Sequence, residues 1–273
     1  MAAYQRSNVI LKAENISLTL GGNPILKDLD VEIKDVTQPG QTTGQIVGFL
    51  GPSGVGKTKF FEILAGLLEP TTGQVLLGTP LKPVGVGMVG VVQQNYPLFG
   101  HRTVASNLMV AARKLYKTEA EAKERMAYLL ERFKLTDKQN LYPIQLSGGQ
   151  RQRIAIAQQL LSSEHFLLLD EPFSGLDVNM IDEVSELICE IAHLNEVNTV
   201  IVISHDIDAT AAVADTLWLM GRDRDANDQV IPGARIKHSY DLIDIGLYNQ
   251  PDIIDKPAFR ALVKEIRDLF HTL

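Results

Sequence analysis

The sequence of 273 residues predicts an α/β fold: a mostly parallel sheet, an antiparallel β unit ahead of it, and an α-helical unit inserted within it. Three observations carry this expectation. First, the apolar runs Gln45 to Leu50, Phe166 to Leu169 and Thr199 to Ile203 each stop at a polar or glycine-rich cluster, the pattern of buried parallel strands. Second, the N-terminal segment alternates apolar and polar positions, the period of a half-buried antiparallel hairpin. Third, the stretch between the first two runs has mostly helical periodicity.

Taken in order, Ile16, Leu18 and Leu20 alternate up to a turn at Gly21-Gly22-Asn23, and the alternation resumes through Leu29, Val31 and Ile33. Lys34 to Thr43 carries Asp, Thr, Gln, Pro and Gly without period and reads as a loop. Phe60 to Leu68 reads as a helix after the first buried strand. Glu119 to Leu135 places Met126, Leu129, Leu130 and Phe133 on one helical face, and Arg151 to Leu161 follows the same spacing. Gly221 to Asp228 superficially spaces acidic residues like a calcium loop. Asp228 stands at the required glycine and Ala234 at the bidentate glutamate, so a charged turn is expected instead. Pro257 starts a helix whose Phe259, Leu262, Val263, Ile266, Leu269 and Phe270 form an apolar stripe for core docking.

Composition excludes several classes. With 45% apolar and 22% charged residues the chain is an ordinary globular protein with a sizeable core, neither disordered nor fibrous. The 26 basic against 33 acidic residues leave a formal charge of −7, which disfavours free nucleic-acid binding because clustered cations supply its electrostatic term. A single cysteine, Cys189, rules out an intrachain disulfide framework and reads as core packing. No apolar run is long enough to span a membrane, and Met1 to Arg6 leads into Ser7 and Asn8 rather than a signal region. The expectation is therefore a protein that neither crosses a membrane nor enters a secretory route by itself.

Chemistry concentrates at the ends of the buried strands, where open parallel sheets collect ligands. Gly51-Pro52-Ser53-Gly54-Val55-Gly56-Lys57-Thr58 matches G-x-x-x-x-G-K-[ST] in full, between a strand and a helix. Its glycines let backbone N–H groups turn inward around phosphate oxygens; Lys57 reaches outer phosphates and Thr58 suits magnesium. Asp170-Glu171 ends the second run. Two adjacent carboxylates there call for a cation or a proton-transfer task, Asp170 on the magnesium side and Glu171 polarising an attacking water. Leu146-Ser147-Gly148-Gly149-Gln150 reads as a capped helix start and a second anion-binding position.

With these residues in view, the sequence resembles the nucleotide-binding subunit of an ATP-binding cassette (ABC) transporter over roughly residues 8 to 220. Residues 51 to 58 match the family's Walker A motif, 146 to 150 its LSGGQ signature, and 166 to 171 its Walker B strand with the following glutamate. Gln94 matches the Q-loop, Ser174-Gly175-Leu176-Asp177 the D-loop, and His205 the switch histidine.

The resemblance implies a P-loop ATPase core with ATP and magnesium as ligands. It implies a first core part at 1–94, an α-helical subdomain at 95–163, a second core part at 164–227, and a C-terminal extension at 228–273. Two cassettes, identical or different, would sandwich two ATP molecules head to tail, with Ser147, Gly149 and Gln150 facing the γ-phosphate held by the opposite subunit. Gln94 and His205 would sense that phosphate within their own subunit, and Gln94 would join Thr58 and Asp170 around magnesium. The family's adenine-stacking aromatic is matched by Leu20, so poor discrimination between ATP and GTP is expected. Lys59 stands where a second Ser or Thr is common.

As partners the resemblance implies a separate membrane permease, touched by Tyr96, Leu98 and Phe99, and a solute-binding protein. The location implied is the cytoplasmic face of the membrane, and the motif flanks resemble the importer branch. A small anion or amino-acid-like solute is the cargo class by analogy. The alternative is a non-transport cassette acting on nucleic acid or ribosomes, whose coiled-coil insertions, fused second cassette and basic surfaces this sequence lacks.

Overall fold

The computed structural model describes residues 5–37, 44–163, 165–194, 199–247 and 252–273. The N-terminal alternation becomes β1 (Gln5–Leu20) and β2 (Asn23–Thr37), an antiparallel pair. Gly21 and Gly22 both take positive φ and form the two-residue turn between them, a geometry that glycine adopts without steric cost. Strand β2 continues through Lys34 to Thr37, where the local pattern predicts a loop. Val36 is buried and pairs with Arg6, so tertiary pairing overrides the weak local pattern. The remainder of that loop, 38–43, lies outside the described residues.

The three apolar runs are β3 (Gln45–Leu50), β7 (Phe166–Asp170) and β8 (Thr199–Ser204), mutually parallel in the order β3-β8-β7. The elements between β3 and β7 are α1 (Lys57–Leu64), β4 (Thr72–Leu77), β5 (Lys82–Pro83), β6 (Gly90–Val92), α2 (Val104–Ala112), α3 (Glu119–Arg132) and α4 (Gly148–Leu160). Thereafter come α5 (Val178–Ala192), α6 (Ile207–Val213), β9 (Thr216–Arg224), β10 (Val230–Asp241) and α7 (Pro257–Phe270). One ten-stranded sheet orders them β5-β4-β1-β2-β10-β9-β3-β8-β7-β6. Its central strands β9, β3, β8, β7 and β6 are parallel, whereas β5, β4, β1 and β2 form an antiparallel flank.

Helix α1 ends at Leu64, four residues earlier than the sequence suggested, because Gly66 takes φ +69° and turns the chain against Gly85. Helix α3 begins at a capping box formed by Thr118 and Glu121, and its Met126, Leu129 and Leu130 are buried as the periodicity required. The acidic stretch from Gly221 is half strand: Gly221 to Arg224 belong to β9, and the charged turn shrinks to 225–229. Helix α7 buries Phe259, Leu262, Val263 and Ile266 in the core shared with α6, while Leu269 and Phe270 are partly buried. Each fully buried side chain of that kind stabilises by about 1.5–3 kcal/mol, so the stripe is a docking face. Cys189 packs against the same core, where burial pushes its thiol up to about 11.

Candidate functional site

Strand β3 aims its carboxyl end into the loop 51–56, and its position is set by packing on both sides. Phe49 lies 5.4 Å from the ring of Phe60 on α1 and 6.3 Å, edge-on, from Trp218 on β9. The loop then closes through Gly54 and Gly56, with φ of +75° and +118°. A Cβ at Gly51 would meet the Met220 carbonyl oxygen at 2.8 Å, so β9 and the loop approach too closely for any side chain there. Gly56 is the N-cap of α1 and offers no side-chain cap, leaving the first backbone N–H groups of the helix to a ligand or solvent.

Lys57 is buried, only 7% exposed, and its Nζ donates to the carbonyl oxygens of Gly51 at 2.7 Å and Pro52 at 3.2 Å. Burial pulls its ammonium below the ordinary lysine range, opposed by the nearby carboxylates Glu171 and Asp170. Glu171 Oε1 stands 4.0 Å from Lys57 Nζ.

The second carboxylate oxygen of Glu171 is held by the next strand. Oε2 accepts from Ser204 Oγ at 3.2 Å and from the His205 backbone N–H at 3.3 Å, and lies 2.8 Å from His205 Nδ1. Glu171 itself takes φ +50°, a conformation that costs a non-glycine residue of the order of 1–3 kcal/mol. Its N–H donates to the Ile203 carbonyl at 2.8 Å, which pins the strained turn to β8. Burial, reinforced by Glu171, raises the Asp170 carboxyl above the usual range; Lys57 opposes the shift only in part.

Thr58, Glu62, Gln93, Gln94, Asn95 and Asp170 line a cleft of about 710 Å³ beside this cluster. Hydroxyl, amide and carboxylate oxygens in this lining are the donor set that magnesium takes, and a cation would relieve the buried Asp170 carboxyl. The residues present therefore fit magnesium. Gln94 Nε2 donates to Ser174 Oγ at 3.1 Å, joining the loop after β6 to the turn after β7, and the Ser174 N–H donates to the Glu171 carbonyl at 3.2 Å.

Other residues singled out in the sequence lie apart from this cluster. Leu146 is buried, and Ser147 caps α4 through a reciprocal box with Gln150, the two bonds measuring 3.3 and 3.0 Å. Nothing lies within 4 Å of a Cβ built at Gly148 or Gly149, so this helix start has open space over it. Asp177 caps α5 by accepting from Met180 N at 3.0 Å; Gly175 takes φ +73° and the half-buried Leu176 packs on the core. Leu20 ends β1 at the hairpin tip, 40% exposed although its alternating partners Ile16 and Leu18 are buried. Tyr96 and Leu98 are partly buried against the core, whereas Phe99 is exposed with Arg102 over its ring at 5.7 Å.

Three further residues, in none of the sequence motifs, contribute contacts. Ser204 binds Glu171. Arg222 on β9 donates from Nη2 to the Gly54 carbonyl at 2.8 Å. Asn107, fully buried on α2, accepts from the Phe99 N–H and donates to the carbonyls of Phe99, Arg102 and Thr103, which shapes the loop before α2. A buried asparagine amid an apolar helix was the one legible signal among them.

A buried lysine under a glycine loop, at the carboxyl ends of parallel strands, defines an α/β protein of the phosphate-loop class. Comparison narrows the class: the family model described as "ABC transporter" matches residues 40–174. Residues 40–174 of the chain thus form an ATP-binding cassette domain.

Among relatives, it is 35% identical over 219 residues to the sulfate/thiosulfate import ATP-binding protein CysA 2 of Rhizobium meliloti (strain 1021), covering 78% of this chain and 57% of that protein. It is 34% identical over 227 residues to the putative 2-aminoethylphosphonate import ATP-binding protein PhnT of Salmonella paratyphi A, covering 80% and 58% respectively. The chain thus spans less than two thirds of the length of these relatives.

Among solved structures, cbiO1 from Clostridium perfringens, part of the ABC transporter complex cbiONQ, superposes with a TM-score of 0.73 at 24% identity, covering 97% of this chain and 98% of that one. The cassette MJ0796, a dimer bound to ADP and Pi, gives 0.67 at 24% identity over 85% and 99%. These likenesses establish the fold.

Proposed function

We propose that this chain is an ATP-hydrolysing subunit that dimerises around two Mg-ATP and powers solute import through a separate membrane permease. The observation that carries the reading is the convergence of Lys57, Asp170, Glu171 and His205 at the ends of three parallel strands. In this reading Gly51 to Thr58 enclose the phosphates, and Lys57 exchanges its carbonyl partners for phosphate oxygens. Thr58, Gln94 and Asp170 hold magnesium; the chemistry a bound magnesium supplies is neutralisation of phosphate charge. Glu171 orients and polarises the attacking water, and His205 with Ser204 fixes which of its oxygens faces the phosphate.

Two helix starts, one bearing Gly56 and one bearing Ser147, are more than a single nucleotide needs. A head-to-tail pair uses both, each nucleotide lying between one subunit's loop and Ser147, Gly149 and Gln150 of the other. ATP must then bind the closed pair more tightly than the open one, and loss of the γ-phosphate removes that difference. Asp177 and its turn, linked through Ser174 to Gln94, are the route by which closure reaches the outer face.

Partly exposed Tyr96, Leu98 and Phe99 are the permease contact. No helix among the described residues is long and apolar enough to cross a membrane, which is consistent with a peripheral subunit on its inner face. The relatives named for import support the direction, and cargo choice belongs to the permease. A pull-down of tagged Glu171→Gln with Mg-ATP, from detergent-solubilised membranes of the native host, tests the reading. Recovery of a polytopic permease supports it, whereas recovery of only soluble or nucleic-acid-associated partners moves a non-transport cassette to first place.

A further inference from the structure

We infer that Arg222, which lies outside every motif of the site, is a positioning residue that sets the direction of a phosphate-facing amide in the loop 51–58. The inference rests on the reading that this loop holds the phosphates of a nucleotide. Its geometric basis is one peptide unit. Arg222 Nη2 donates to the carbonyl oxygen of Gly54 at 2.8 Å. A trans peptide is planar, with its C=O and the following N–H pointing in opposite directions, so fixing the Gly54 oxygen outward fixes the Val55 N–H inward. That N–H does face the inside of the loop, where its partner is the Pro52 carbonyl at a long 3.4 Å.

The peptide needs such a hold. Gly54 takes φ +75°, and a Cβ built there would touch nothing within 4 Å, so neither a side chain nor packing at Gly54 itself restrains its carbonyl. A donor that carries full charge also polarises the peptide it binds, which strengthens the N–H on the far side as an anion donor.

Arg222 is itself well fixed. It pairs with Ala234 on β10, which pairs with Leu26 on β2, and Gly233 comes so close to Lys27 that a Cβ there would lie 2.8 Å from the lysine Cβ. The hairpin end is closed by Asp225, whose carboxylate accepts from the N–H groups of Asn227 and Gln229. The adjacent carboxylate, Asp223, is taken up by Arg235 and Lys237. Among the described residues Arg222 has no ion-pair partner, so its charge is directed at the loop.

The test measures equilibrium binding of ATP, ADP and inorganic tripolyphosphate, each with magnesium, to the full chain carrying Arg222→Ala, Arg222→Lys or Arg222→Gln. Lys57→Ala serves as a separate reference. The expected result is a loss of about tenfold for all three ligands in Arg222→Ala, the scale of one charged hydrogen bond. Arg222→Lys restores most of the loss and Arg222→Gln less. The Val55 amide in Arg222→Ala should also gain hydrogen exchange in the free protein while amides of β3 keep theirs, which a general loss of stability does not produce. Unchanged affinity in Arg222→Ala overturns the inference. So does a loss confined to ATP and ADP, which would mean that Arg222 touches the nucleoside rather than the loop. If the wild type binds none of the ligands, or Lys57→Ala binds them as well as the wild type, it is the reading of the loop that fails.

Discussion

Glu171 and His205 are joined side chain to side chain, Oε2 to Nδ1 at 2.8 Å, while the other oxygen of Glu171 stays 4.0 Å from Lys57. The carboxylate therefore has one oxygen committed to β8 and one left toward the loop. The arrangement depends on the unusual backbone of Glu171, because a residue of ordinary φ at that turn would carry the side chain elsewhere.

His205→Ala removes that hold and leaves Ser204 Oγ and one backbone N–H on Oε2. Steady-state ATPase assays should show a fall of about a hundredfold, the scale of a misplaced general base, with ATP affinity within about threefold of the wild type. Ser204→Ala, which removes one neutral hydrogen bond, should cost less than tenfold. Equal effects of the two substitutions would count against the histidine as the main hold.

Asn107→Ala should reshape the loop carrying Phe99 without touching the nucleotide cluster. The Phe99 N–H and the Arg102 carbonyl lose their partner, while the Phe99 and Thr103 carbonyls keep backbone donors, for an expected cost of about 2–3 kcal/mol in chemical unfolding. Asn107→Asp should be worse, because a carboxylate cannot donate to the three carbonyls it would face. In a reconstituted transporter, both should lower transport more than basal ATPase, if Phe99 contacts the permease.

Asp215 gives the fold a pH dependence. It is almost wholly buried, and burial pushes its carboxyl up to about 7, although it accepts from the Ile46 N–H at 2.6 Å. Its folded value lies above the unfolded value of about 3.9, so the folded state binds more protons between the two. Stability contributed by this group is full below about pH 4 and declines as the pH rises through 7. Asp215→Asn keeps the acceptor and removes the charge. Thermal melts should show it several degrees more stable than the wild type at pH 8 and no more stable at pH 4. The reverse order would mean that Asp215 is held as a stabilised anion.

Most of the fold was legible because β3, β7 and β8 are short, mostly apolar and punctuated, because β1 and β2 alternate, and because Met126, Leu129 and Leu130 keep one helical face. The end of β2 was not, since Val36 owes its place to pairing with Arg6 across the sheet, a contact no local window contains. Within the site, Lys57, Asp170 and Glu171 were readable from spacing and from the cost of adjacent carboxylates. Ser204 and Arg222 were not, because each acts through a hydrogen bond between segments distant in sequence, and neither residue type is unusual at a strand end. The link from Gln94 to Ser174 was hidden for the same reason.

The central claim is that Glu171 performs the hydrolytic step at a nucleotide held by the loop 51–58. Single-turnover hydrolysis of labelled Mg-ATP, with binding measured on the same samples, compares the wild type with Glu171→Gln most directly. The account predicts that the variant binds Mg-ATP as tightly as the wild type, forms a stable closed pair with it, and cleaves it at least about a hundredfold more slowly. Cleavage at the wild-type rate by a variant that still binds would contradict it.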